Sequence, residues 1–415
     1  MTAVSPDGAR ASVFARRDFR LYFGALFLAG LAIEAQSVAV SWQVYDLVRS
    51  PLALGYVGLS QFLPLVILAL PAGDIADRFD RRMILAISFF VLALCAGLFL
   101  YLTTTKQGGI SPFYLVLALF GIARAFAQPA AQSFLPLLVP LEQFPEAVAW
   151  TSSARQTAVI VGPALGGVMY VLGPAAAYLT CFAMLLVAAS GLASVRTRST
   201  PERQDPDVTA FARLTAGIRY VRDRPIILGA ISLDLFAVLL GGATALLPIY
   251  ARDILRVGPA GLGLLRSAPA LGAASLGLTL VRMPLRKNTG LTMFASVAVF
   301  GVATIVFGLS QNFILSLATL IVLGASDMVS VYVRHNLVQL ATPDAMRGRV
   351  SAVNFLFIGA SNELGEFESG VTAAWLNTVP AVVLGGIGTL AIVGLWMWLF
   401  PDLRKVDSLF EVTPV

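Results

Sequence analysis

The sequence predicts an all-α membrane protein of twelve transmembrane helices in two six-helix bundles. Three observations carry this reading. The chain is 58% hydrophobic and only 13% charged, it holds twelve apolar runs of membrane-crossing length, and its second half repeats landmarks of its first. A soluble domain carries roughly 25% charged residues. A mean hydropathy of +0.82 over 415 residues is more apolar surface than one water-exposed core can hide.

A helix needs about 20 apolar residues to cross the hydrocarbon layer. Runs of that kind lie at 19–46, 53–73, 83–105, 112–136, 146–171 and 174–195, and again at 225–250, 259–281, 290–309, 311–336, 348–373 and 378–400. Several exceed the minimum, so tilt is expected. Gly and Pro interrupt many of them, which membrane helices tolerate when neighbours satisfy the freed backbone. The polar N-terminal stretch shows no short apolar core with a cleavage site, so the first span itself is expected to direct insertion. Cys95 and Cys181 both fall inside apolar runs and form no metal or disulfide pattern.

Lys and Arg orient the spans. With the N-terminus inside, 21 of the 29 basic residues fall on the cytoplasmic side and four (Arg49, Lys106, Arg252, Arg256) fall outside. The remaining four, Arg124, Arg155, Arg266 and Arg334, lie within or at the ends of spans. The basic charge, +6 in total, is therefore a positive-inside bias and not a nucleic-acid footprint. The expectation is a multi-pass protein of the bacterial inner membrane with both termini cytoplasmic.

The widest polar gap, 196–224, divides the chain into an N-terminal bundle, 1–195, and a C-terminal bundle, 225–415. Within the gap Phe211, Leu214, Ile218 and Val221 recur at helical spacing, with Arg213, Arg219 and Arg222 between them. That pattern predicts a short helix lying on the anionic inner leaflet; a solvated linker is the alternative.

The two halves share landmarks. A shift of 203 residues lays Pro140 on Pro343, Gly162 on Gly365 and Gly167 on Gly370. A shift of 204 lays Gly73 on Gly277, Arg78 on Arg282 and Arg82 on Arg286. Parallel duplication of a six-span unit marks transporters whose halves are related by an axis along the membrane normal.

The loop PAGDIADRFDRR, 71–82, gathers six charges amid apolar chain. Gly73, Asp77, Arg78, Arg81 and Arg82 resemble the motif that the major facilitator superfamily carries between its second and third spans, with Asp80 where a second glycine is usual. In span 5, Gly162, Pro163, Gly166 and Gly167 resemble the superfamily's antiporter motif, with Ala158 in place of its first glycine. Arg124 stands where many members carry a span-4 arginine. The stretch 337–353 looks like the branch that contains the enterobactin exporter and the macrolide-efflux proteins. The resemblance covers the whole chain and implies the major facilitator fold, alternating access and antiport. It also implies that Asp77 meets the N-terminus of helix 11, where the dipole favours an anion by roughly 0.3–1 kcal/mol. In that reading the loop closes the inner gate, and Gly73 lets helix 2 approach a neighbour. Simple positive-inside anchoring remains open for Arg81 and Arg82.

Ionisable residues at membrane depth are costly and so are functional candidates. They are Glu34 in span 1, Arg124 in span 4, Asp234 in span 7, Asp327 in span 10, and Glu363, Glu366 and Glu368 in span 11, with Asn362 alongside. Glu363 and Glu366 share a helix face, and Glu368 points elsewhere. Carboxylates this close repel one another, so three readings stand: a proton carrier, a hard-metal site at Glu363 and Glu366, or structural pairing with Arg155 or Arg334. Glu363 is the first proton candidate. His335, the only histidine, suits polar capping at the gate. Trp42, Tyr45, Phe62, Phe126 and Phe355 are candidates for the wall of a central cavity, although Trp42 and Tyr45 equally suit the outer interface. No nucleotide loop, catalytic triad or metalloprotease spacing is present, so neither an enzyme nor a cofactor is expected. The expected function is proton-coupled export of a small organic or amphiphilic compound by a monomer, with protons, that compound and the bilayer as partners. Uptake symport, lipid flipping and a transport-inactive sensor are the alternatives.

Overall fold

The computed structural model describes residues 12–106, 109–199 and 210–407, and within them every long element is helical. The side chains of Asp77, Phe211, Arg213, Leu214 and Phe355 lie outside the described residues. The first half comprises α1 (Arg17–Val48), α2 (Pro51–Arg78), α3 (Arg81–Thr105), α4 (Ser111–Leu138), α5 (Phe144–Val171) and α6 (Pro174–Ala193). After α7 (Ala210–Arg222) come α8 (Pro225–Leu240), the short α9 (Leu247–Ile249), α10 (Gly258–Arg282), α11 (Thr289–Leu309), α12 (Phe313–Ala341), α13 (Asp344–Leu376), α14 (Thr378–Leu399) and the terminal turn α15 (Pro401–Arg404). Among the described residues ten helical segments are long and apolar enough to cross a membrane. The helices α5 and α13 match them in length, at 28 and 33 residues, but carry polar and charged side chains through their middles.

Small residues decide how the helices cross. In α5, Gly162 and Gly166 lie against α1, where a Cβ at 162 would stand 2.5 Å from that of Glu34. The missing first glycine of the motif is supplied from the other helix: a Cβ at Gly30 of α1 would lie 3.0 Å from the Cβ of Ala158. Gly167 turns to α10, where a Cβ would stand 2.5 Å from the Pro259 carbonyl oxygen. The second half repeats this with α13. A Cβ at Gly365 would stand 3.1 Å from the Leu239 carbonyl oxygen of α8, and one at Gly370 would stand 2.8 Å from the Cα of Gly55 of α2. Each half thus lends its fifth helix to the other, so that α5 packs on α10 and α13 on α2. Close backbone approach of this kind is how membrane helices gain packing without a hydrophobic drive.

The seventh span, expected as one helix, is broken. The helix α8 stops at Leu240, and Gly241 and Gly242 lead into a 3-10 turn, Ala243–Leu246. A Cβ at 242 would meet the Gly365 carbonyl oxygen and the Ser369 hydroxyl, each at 2.7 Å. The break lets the chain pass α13 at a distance that a continuous helix with side chains could not reach.

One face of the bundle carries the basic loops, and the halves are tied at the other. There Arg252 pairs with Asp46 and its guanidinium lies 5.5 Å over the Trp42 ring. Arg49 pairs with Asp253 at 3.2 Å, and the Tyr45 hydroxyl donates to the same carboxylate. Trp42 and Tyr45 therefore belong to this seam and not to a cavity wall, because the charges of 252 and 253 hold them there. A continuous apolar cluster, from Val38 and Val44 of α1 to Leu262 and Leu265 of α10, backs the seam.

On the basic face Gly73 meets nothing: a Cβ there would have no neighbour within 4 Å. The expected close approach of α2 at Gly73 is not made in this conformation, in which the halves are joined at the opposite end. Arg78 is exposed. Arg81 and Arg82 are held within their own half. The Arg81 guanidinium donates to the Ala76 and Ser133 carbonyls at 3.3 Å, and that of Arg82 donates to the Val195 carbonyl at 2.6 Å. Asp80, the departure from the superfamily pattern, caps α3. It accepts from the Arg82 backbone at 3.1 Å and from the Ser199 hydroxyl at 3.3 Å. Asp18 accepts from the backbone of Arg196 and Thr197 at 3.1 and 2.9 Å. Two aspartates of the first half thus hold the start of the connecting segment. Asp80→Ala should lower stability by about 1 kcal/mol through loss of the cap, which thermal unfolding in detergent will show as a reduced midpoint.

The helix α7 spans Ala210–Arg222, and the described part of its apolar edge is divided between a buried and an exposed residue. Val221 is buried among Val338, Val350 and Val353, and a Cβ at Gly217 would stand 2.7 Å from the Arg349 carbonyl oxygen. The start of α13 thus covers one side of α7, because the bare Gly217 lets the two backbones meet. Ile218 stays exposed.

Candidate functional site

Three carboxylates come from helices far apart in sequence to one enclosed cavity of about 160 Å³ between the halves. Glu34 arrives on α1, and Glu363 and Glu366 arrive together on α13, three residues apart on one face as their spacing requires. Glycines make the room. Gly162 opposes Glu34, and a Cβ at Gly58 of α2 would stand 2.9 Å from Oε2 of Glu366. Glu368 turns away and accepts from the Thr372 hydroxyl at 2.7 Å, and Asn362 is exposed.

The same cavity receives Arg124 from α4 and Arg266 from α10. The Arg266 guanidinium stands 3.9 Å from a carboxylate oxygen of Glu366, and that of Arg124 lies 5.9 Å from the Phe120 ring centre. Neither partner expected for the glutamates takes that role: Arg334 pairs with Asp234, and Arg155 lines a second cavity with Glu34. The positive charges facing Glu363 and Glu366 are the guanidiniums of Arg266 and Arg124, which compete with any cation for the carboxylate oxygens. From the sequence Arg266 reads only as a basic residue within or at the end of a span, and Gln36 and Gln61, which also line the cavity, do not stand out. Gln36 is 1% exposed and its amide oxygen has no partner among the described residues. An amide inside an apolar run was the available signal.

Asp234 and Asp327 are brought together, but elsewhere. Asp234 of α8 forms a buried ion pair with Arg334 of α12, the two being 5% and 3% exposed. Asp327 lines a cleft of about 10 Å³ with Asp234 and Ser330, whose buried hydroxyl has no partner among the described residues. This group belongs to the second half alone, so Arg124 and Asp327, equivalent under the 203-residue shift, serve different sites. Among the remaining aromatic candidates Phe62 is buried away from the cavity wall, and Phe120 lines it in place of Phe126. His335 is exposed on α12.

Two helical halves of parallel topology, exchanging their fifth helices around an enclosed charged cavity, define a secondary-transporter fold. Solved structures agree. The chain superimposes on a bacterial homologue of the human lysosomal transporter Spinster, in an inward-facing and occupied conformation, with a TM-score of 0.72 at 11% identity, covering 93% of this chain and 96% of that one. It superimposes on a POT family transporter in complex with 5-aminolevulinic acid with a TM-score of 0.71 at 10% identity, covering 94% and 97%. The family model described as a transmembrane secretion effector matches residues 9–413, and the chain belongs to that family of the major facilitator superfamily. It is a multi-pass membrane transporter. Among its curated relatives are the enterobactin exporter EntS of Citrobacter koseri, 24% identical over 405 residues that span 93% of this chain and 92% of the relative. That of Escherichia coli O1:K1 is 24% identical over 414 residues, spanning 95% and 94%.

Proposed function

We propose that the protein exports a small organic or amphiphilic compound from the cytoplasm in exchange for protons. The observation that carries this reading is the enclosed cavity between the halves, where Glu34, Glu363 and Glu366 face Arg124 and Arg266. With all five ionised, one negative charge is in excess in a low-dielectric space, and such a charge is costly unless it is neutralised. A proton taken up and released once per cycle supplies that neutralisation. Glu363, which lines the cavity with Glu366 and Arg124, is the first residue assigned to carry it, and Glu34 lines the cavity as well. Asp327 and Asp234 form a second acidic group within the C-terminal half.

The basic face is cytoplasmic by the positive-inside rule, in a bacterial inner membrane with both termini inside. The conformation described is then closed outside and open inside. The halves, 1–195 and 225–415, rock about the central cavity while the segment 196–224 spans them. In the opposite state Gly73, Asp77 and Arg78 would meet the second half and close the inner face. The protein works as a monomer in this reading. Enterobactin, exported by the relatives, is the first compound to assay.

The test is accumulation of candidate siderophores and macrolides in everted vesicles under an imposed pH gradient. Glu363→Gln should reduce gradient-driven accumulation at least about tenfold, the loss of one required proton-transfer group, at unchanged protein level. Full accumulation by this variant would remove Glu363 from the mechanism, and accumulation indifferent to the gradient would remove proton coupling.

A further inference from the structure

Two cavities meet at Glu34 and Arg124, and they differ in charge. The enclosed one holds three carboxylates against two guanidiniums. The other, about 450 Å³, lies along the basic-face halves of α1, α3, α4 and α5, wholly within the first half of the chain. It holds two guanidiniums, Arg124 and Arg155, against the single carboxylate of Glu34. One wall is therefore net positive and the other net negative.

The larger cavity is also divided chemically. Leu26 and Phe89 give it an apolar side, and Gln128 and Gln132, on α4 beyond Arg124, give it a row of amide donors. Neither guanidinium donates a hydrogen bond to a described residue. Arg124 lies against the Phe120 ring and faces Glu34 and Glu363, and Arg155 is exposed and faces Glu34. A guanidinium offers a planar fork of donors that matches the oxygens of a carboxylate or phosphate in pairs. Two such forks that donate to no described residue, beside amides and above an apolar surface, form a receptor for a molecule with the complementary division.

We propose that this cavity is the binding subsite of an anionic amphiphile, its acidic head held between Arg124 and Arg155 and its apolar body laid against Leu26 and Phe89. The inference rests on the reading of the protein as a transporter whose substrate enters between the halves, and it names the class of that substrate. It also divides the labour between the cavities: the positive one takes the substrate head and the negative one is left to the coupling cation. Glu34, shared by both, lets the charge of one bear on occupancy of the other.

The experiment uses the purified full chain in lipid nanodiscs without any gradient. The probe is a fluorescent dansyl-labelled undecanoate, compared with its uncharged methyl ester and with the ammonium analogue of the same length. The carboxylate should bind more tightly than the ester by about tenfold or more, the value of one charge-assisted hydrogen bond. Arg155→Gln should reduce that preference severalfold while ester binding stays as it is, and Arg155→Lys should restore part of it. Equal binding of carboxylate and ester overturns the proposal. So does tightest binding by the ammonium analogue, no binding by any probe, or a preference unchanged in Arg155→Gln. Because binding is read without a gradient, failure here leaves proton-driven export standing, and failure of proton coupling leaves the subsite standing.

Discussion

Replacing Arg334 with leucine should lower the stability of the protein by about 3–5 kcal/mol, the usual cost of stranding one member of a buried ion pair. Arg334 is 3% exposed and is the cation that pairs with Asp234 between α8 and α12. Asp327, two turns earlier on the same helix, lines the same small cleft. Removing the guanidinium leaves two carboxylates facing each other with no counter-charge at that point. Leucine fills much of the space but satisfies neither acid. Arg334→Lys should lose less, because it keeps the charge and gives up only the planar fork. Thermal unfolding in detergent, followed by tryptophan fluorescence, is a suitable measurement: Trp396 lies nearby and donates to Ser232 of α8 at 3.0 Å. An Arg334→Leu variant that unfolds with the wild type would show that the pair contributes nothing to holding the second half together.

Gly167→Val should part the two halves on the face opposite the basic one while leaving each half folded. Gly167 faces the α10 backbone, with a Cβ position 3.2 Å from the Cα atoms of Ala260 and Gly263, and Gly263 in turn faces Ala164 at 3.0 Å. Neither helix can yield by rotating a side chain, since backbone stands on both sides. Overpacking of this kind costs about 1–3 kcal/mol, and the cost falls only on the conformation in which α5 and α10 are in contact. The population of that conformation should drop by roughly 5- to 150-fold. The readout is labelling of Ser37→Cys, which lines the enclosed cavity, by a membrane-impermeant maleimide applied from that face. Labelling should rise several-fold in the Gly167→Val background, and transport should fall with it. The native Cys95 and Cys181 are buried and contribute little background. Unchanged labelling would mean that the α5–α10 crossing does not set which face is closed.

The motif of span 5 shows how far spacing alone can be read. The repeat of Gly162 and Gly167 as Gly365 and Gly370 was visible as a 203-residue shift. The structure turns that shift into equivalent crossings, with the first glycine of each pair on the first span of its own half and the second on a helix of the other. Ala158 looked like a defect in the motif until Gly30 appeared opposite it, because a contact has two sides and the sequence of one helix shows only one. Asp80 looked like a lost glycine and is a helix cap bound to Ser199, 119 residues away. The break at Gly241–Gly242 is not legible in the seventh span alone because its cause lies in α13, where Gly365 and Ser369 need the space.

Helix content, the number of apolar runs, their division into two similar halves and the asymmetry of basic charge follow from composition and order along the chain. They depend on transfer of side chains between water and lipid, which each segment settles for itself. The grouping of Glu34 with Glu363 and Glu366, the choice of Arg266 as the neighbour of Glu366 and of Arg334 as the partner of Asp234, and the seam that claims Trp42 and Tyr45 were decided only when the helices packed. Side chains hundreds of residues apart become neighbours through crossings set by glycine-to-backbone contact. An arginine at membrane depth pairs with whichever carboxylate those crossings bring within reach.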